Sequence, residues 1–122
     1  MLNFNSVLLS SSNPKKLSDF YGKVLGKKPD MDDGGYLGYL VGNCFLTIGP
    51  HDKVKGKSKT PERLIFNFET SEVKKEFERI KKLGAKVVTE PYSMGGEEFL
   101  IATFEDPDGN YFQLISPWKP KE

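Results

Sequence analysis

The chain is short of most of what disulfide, metal or membrane chemistry requires. It has one cysteine, Cys44, and one histidine, His51. A single cysteine rules out an intrachain disulfide and fits a reducing compartment. A single histidine excludes any site assembled from several imidazoles of one chain. Neither sign of charge prevails: 18 Lys and Arg stand against 17 Asp and Glu, a net charge of +1 at neutral pH. That balance removes the whole-molecule argument for binding nucleic acid or a membrane surface. No apolar run approaches the roughly 20 residues that cross a bilayer. The opening "MLNFNSVLLSSSNPKK" has no basic region before its apolar run, and a helix start follows where a signal peptide would show a cleavage site. A soluble, cytoplasmic protein is expected.

What remains is the composition of an ordinary globular protein, 37% hydrophobic and 29% charged, with nine phenylalanines to fill an interior. Its 122 residues suit one compact domain or two small modules sharing a core. "NFNSVLLS" alternates as a strand, with Val7 and Leu9 on one face and Phe4, Ser6 and Leu8 on the other. "SSNPKKLSDFYGKVLG" predicts a helix capped by Ser12 or Asn13, opened by Pro14 and stopped at Gly26. Its apolar stripe is Leu17, Phe20, Tyr21, Val24 and Leu25. "GYLGYLV" and "CFLTI" flank Gly42 and Asn43, which predicts a tight hairpin.

Residues 49–62, "GPHDKVKGKSKTPE", are polar, basic and rich in Gly and Pro, the composition of a solvated linker, placed at about 51–61. Beyond them the order restarts. "RLIFNFE" predicts a strand with Leu64, Phe66 and Phe68 on one face. "TSEVKKEFERIKKLG" predicts a helix capped by Thr70 or Ser71, with Val73, Phe77, Ile80 and Leu83 as its stripe and Gly84 as its stop. "AKVVTE" is a short strand ended by Pro91, and "EEFLIATFE" and "NYFQLIS" are strands around the turn "DPDG". The two halves are read as sharing one order: strand, helix, then three strands. Phe20 pairs with Phe77 and Ser6 with Arg63 at one shared separation, while "CFLTIGP" matches "YFQLISP". The repeat predicts two pseudo-symmetric modules, about 1–50 and about 62–117, each with a helix packed on one face of a sheet.

"LSDFYGKVLG", "RLIFNFE" and "FEDPDGNYFQLISP", set in this paired order, resemble the vicinal oxygen chelate superfamily of glyoxalases, extradiol dioxygenases and bleomycin or fosfomycin resistance proteins. The resemblance implies an α+β fold of two βαβββ modules that form a curved, barrel-like mixed sheet with helices outside. It also implies a homodimer, and four metal ligands on the first and last strands of the modules. Carried over by spacing, those positions are Ser6, Leu46, Arg63 and Gln113, where relatives have His, Glu or Gln. Leu46 has no donor, Arg63 is a fixed cation, and Ser6 and Gln113 are weak neutral donors, so no metal and no cofactor is expected. His51 in the linker is expected as a surface residue. Glu69, Glu97 and Glu98 are expected as solvated charges.

Strand alternation then places Phe4, Ser6, Leu8, Ser10, Cys44, Leu46 and Ile48 on the cavity side of module one. Arg63, Ile65, Asn67, Tyr111, Gln113 and Ile115 take that side in module two. The candidate ligand-binding set is Ser6, Leu46, Arg63, Asn67, Tyr111 and Gln113. Arg63 either clamps an anionic ligand or is met by Glu69, Glu98 or solvent. Cys44 is expected as an inert thiol, having no base beside it. "SPWKPKE" offers Trp118 to a partner chain or to a sheet edge. Three functions follow: a metal-free protein binding a small neutral or anionic organic molecule in an apolar cavity, a metal-dependent lyase, isomerase or dioxygenase with an atypical site, or a structural or partner-binding domain with a closed core.

Overall fold

The computed structural model describes residues 1–93 and 98–117. Trp118 and Glu97, singled out above, lie outside them. The chain divides into two compact units, Met1–Lys57 and Ser58–Glu122. Both have a four-stranded mixed sheet, and the two sheets share one pattern of strand order.

The first unit runs β1 (Ser6–Ser10), α1 (Pro14–Leu25), β2 (Met31–Asp33), β3 (Tyr36–Val41) and β4 (Cys44–Gly49). Its sheet order is β1-β4-β3-β2, with β1 parallel to β4 and the other pairs antiparallel. Both predicted ends of α1 are found: Asn13 Oδ1 accepts the Lys16 amide at 3.3 Å, and Gly26 closes the helix with φ 70°. The helix buries Leu17, Ser18, Tyr21 and Val24, whereas Phe20 is only half-buried. It is tied to the sheet through Tyr39, which is 1% exposed. The Tyr39 hydroxyl donates to the Ser18 carbonyl at 2.8 Å and lies 2.9 Å from Ser18 Oγ.

In the second unit a 3-10 turn (Pro61–Arg63) leads into β5 (Ile65–Glu69), α2 (Val73–Lys82), β6 (Lys86–Ser93), β7 (Leu100–Glu105) and β8 (Tyr111–Ile115). Sheet order is β5-β8-β7-β6, with β5 parallel to β8. Phenylalanines make the core. Phe77 of α2 lies 5.1 Å from Phe104, which stacks on Phe112 at 5.5 Å, and Phe68 meets Phe112 edge-on at 5.8 Å.

Three local expectations change. Leu64 precedes β5 and is 64% exposed, so it is not part of that strand's apolar face. Helix α2 starts at Val73, and its cap position is Glu72, without a side-chain bond. Thr70 Oγ1 instead accepts the Glu72 amide at 3.0 Å, from two residues before the cap position. Pro91 does not end β6, which continues to Ser93. That strand is the sheet edge, and its register shifts on either side of Thr89, so a residue without an N–H is accommodated there.

Candidate functional site

The turn between β7 and β8 sets the register of the strands that carry the candidate residues. Asp106, 3% exposed, accepts the amides of Asp108 and Asn110 on Oδ1, each at 2.9 Å, and also accepts from the Asn110 side chain. Gly109 takes φ 80°, open to glycine at little cost, and its amide reaches the Asp106 carbonyl at 3.0 Å. So closed, the turn aligns Glu105 with Tyr111, Thr103 with Gln113 and Ile101 with Ile115. On the other side of β8, Ile65 aligns with Tyr111, Asn67 with Gln113 and Glu69 with Ile115. Phe104 and Phe112 face α2, so the residues alternating with them occupy the face without a helix.

That open face has three transverse rows. Lys86, Glu105, Tyr111 and Ile65 form the first, and Tyr92, Ile101, Ile115 and Glu69 the third. Between them runs Thr89, Thr103, Gln113 and Asn67, one residue from each of the four strands. Gln113 Nε2 donates to Thr103 Oγ1 at 3.0 Å. Thr103 is buried, Gln113 and Tyr111 are half-buried, and Asn67 is exposed. Three of the six candidates, Asn67, Tyr111 and Gln113, therefore lie on one face of this sheet. Thr89 and Thr103 were missed, although the alternation in "LIATFE" already puts Thr103 in phase with Ile101.

Arg63 is not among them. It ends the 3-10 turn two residues before β5, is exposed, and makes no ion pair with a described residue. Glu69 and Glu98, its suggested partners, are exposed as well. A strand phase cannot be extended backward through a 3-10 turn, which rotates the chain by about a third of a turn per residue.

In the first unit the register splits the other candidates. Val7 aligns with Leu46, Leu9 with Ile48, and Tyr39 with Leu46. Tyr39 reaches α1, so Leu46, Ile48 and Cys44 belong to the helix face, and Leu46 is 6% exposed in the core. Ser6 and Leu8, on the opposite face, align with Phe45 and Thr47. Ser6 is exposed and donates to Asn5 Oδ1 at 2.9 Å. By facing, Leu46 corresponds to Phe112, Thr47 to Gln113 and Tyr21 to Phe77. The match of "CFLTI" to "YFQLI" was one residue out, and a one-residue slip carries every side chain to the other face. The ring of Phe45 lies across Gly38, where a Cβ would strike it.

His51 is exposed; its Nδ1 accepts the Lys53 amide at 3.1 Å and lies 3.3 Å from Asp52. Cys44 is a half-buried free thiol. Among the described residues, no three His, Cys, Asp or Glu side chains converge as metal ligands would. A separate open groove of about 600 Å³ lies on the helix side of the first unit, bounded by Pro14, Asp19, Pro29, Asp32 and Leu37. None of the candidate residues lines it.

The family described as "Glyoxalase-like domain" matches residues 6–115. The chain is 40% identical over 112 residues to an uncharacterised Bacillus subtilis protein, YurT, covering 80% of this chain and 85% of that one. A Burkholderia phytofirmans glyoxalase/bleomycin resistance protein/dioxygenase family enzyme superposes with TM-score 0.75 at 19% identity, covering 94% of this chain and 98% of the other. The fosfomycin resistance protein FosX of Listeria monocytogenes gives TM-score 0.67 at 19% identity over 97% and 93% of the two chains. For Agrobacterium tumefaciens lactoylglutathione lyase the values are 0.72 and 16%, over 93% and 92%. At these identities the structural likenesses establish the fold.

Proposed function

The chain belongs to the glyoxalase-like domain family, and from that premise we propose that it binds a small neutral or anionic organic molecule on the helix-free face of its second sheet, without a resident metal. The observation that carries this reading is the donor set. Of the positions where relatives would place ligands, Leu46 packs under a helix, Arg63 is a surface cation outside the strand, and Gln113 already donates to Thr103. Thr47, which takes the place of Leu46 on the open face, adds only a hydroxyl. A divalent ion needs several anionic or imidazole donors aimed at one point, and these residues do not fit it. The same face suits an organic ligand: Ile65, Ile101, Ile115 and Tyr111 give apolar surface around a few groups that form hydrogen bonds.

A thermal-shift screen of small carboxylates, phosphates and planar aromatics, run with and without divalent metals, tests this. Stabilisation by organic compounds alone is expected, with no metal found in the purified protein. Stoichiometric zinc, nickel or iron, or stabilisation that requires a metal, would establish the alternative, a metal-dependent lyase, isomerase or dioxygenase of the glyoxalase type. A cytoplasmic homodimer completes the reading. Leu8 and Leu40, each more than half exposed on the open face of the first sheet, give a second copy apolar surface to bury. Light scattering that returned a mass near 13.8 kDa rather than twice that would remove the dimer from it.

A further inference from the structure

The binding face of the second sheet has a charge pattern as well as a polar row. Its central row, Thr89, Thr103, Gln113 and Asn67, holds two hydroxyls and two amides and no charge. The flanking rows add two carboxylates, Glu105 and Glu69. Glu105 has a side chain only 15% exposed, and its sole cation among the described residues is Lys86, at 3.8 Å. Arg63, the one guanidinium the sequence offered as an anion clamp, stands off the strand in the preceding turn. An anion placed over the central row would sit between two carboxylates, with Lys86 at the sheet edge, already beside Glu105, as the one cation of these strands, and like charges brought together cost binding.

From this juxtaposition we infer that the row selects an uncharged ligand bearing a carbonyl, amide or hydroxyl group and discriminates against its anionic counterpart. The inference rests on the reading of this face as the binding site and narrows it to one chemical class. The bond from Gln113 to Thr103 fixes the amide's orientation and uses one of its two N–H groups. That leaves the carbonyl oxygen and the second N–H of the half-buried Gln113 as an acceptor and a donor for a ligand. Asn67, exposed beside Gln113 in the register, adds a second amide. Such a set hydrogen-bonds a primary amide on both of its sides. A carboxylate has no donor for the Gln113 oxygen, which is then left facing an anion.

The test uses the full chain, 15N-labelled, and matched pairs differing only in charge: benzamide against benzoate, and nicotinamide against nicotinate. The side-chain NH2 signals of Gln113 and Asn67 report on the face itself. The amides are expected to shift both signals and to bind about tenfold more tightly than the acids. Thr103→Val and Gln113→Met, the second keeping the volume of the side chain, are each expected to abolish that preference in a protein whose other signals are unmoved. Acids that shift the same signals as strongly as the amides would overturn the inference and leave the binding reading standing. If neither series moved any signal from this face, both would fail.

Discussion

At the residue scale, one amide holds the candidate site together. Gln113 is aimed by Thr103 and Thr103 is buried, so the pair stands or falls as a unit. Thr103→Val is expected to cost about 1 kcal/mol of stability by denaturant titration, because the half-buried Gln113 can turn an unmet N–H toward water. Tyr39→Phe strips a hydroxyl bonded to both Ser18 Oγ and the Ser18 carbonyl at a fully buried position. It is expected to cost more, about 1–3 kcal/mol, because Ser18 is buried and its hydroxyl loses its partner. Equal losses in the two variants would mean that Gln113 is more enclosed than its exposure indicates.

At the element scale, strand register decides which side chains reach which face, and two devices hold it. One is the Asp106 turn, described above. The other is Asp30, whose Oδ2 accepts from Lys27 at 2.6 Å and from the Leu40 amide at 2.7 Å, joining the end of α1 to β3. The hydrogen bond from Lys27, and then that from the Leu40 amide, hold the Asp30 carboxyl below its ordinary 3.8. A carboxyl depressed by folding stabilises the protein above its unfolded pKa, and the benefit is lost as the pH falls through the folded value. Wild type is therefore expected to exceed Asp30→Asn in urea midpoint at neutral pH, and the two to converge once the pH drops well below 3.8. A gap of constant size at all pH would show that shape rather than charge matters at this position. In the second unit, Phe104 is fully buried between Phe77 and Phe112, and Phe104→Ala is expected to cost about 3–5 kcal/mol in the same titration.

At the scale of the whole molecule, the repeated strand, helix and three-strand order makes the family legible, and the departures from it distinguish this member. EDTA is expected to leave the melting temperature unchanged within error. A fall of several degrees would contradict the donor set described above. Much of the architecture was readable in advance because each unit follows local rules. Asn13, Pro14 and Gly26 bound α1, Gly42 and Asn43 mark the β3–β4 hairpin, and "DPDG" marks the β7–β8 turn. The candidate site was readable only in its second half. In "NYFQLIS" the polar Gln113 between Phe112 and Leu114 discloses its phase, and Asn67 between Phe66 and Phe68 does the same in "LIFNFE". "CFLTIG" carries a weaker form of the same sign, Thr47 between Leu46 and Ile48, but matching Phe45 to Phe112 put Leu46 in that place.

By itself, then, the sequence determined most of the elements, their order, the duplication and the family, because caps, turns and periodicity act over a few residues, while β2 and the 3-10 turn before β5 came only with the structure. The tertiary structure alone decided that Leu46 belongs to the core, that Arg63 stands clear of the sheet, and that Thr89 and Thr103 join Gln113 and Asn67 in one row. The reason is geometric. Alternation says which residues of a strand share a side, but the phase of one strand against the next is set by hydrogen bonds to a neighbour distant in the chain, and a shift of one residue reverses every assignment.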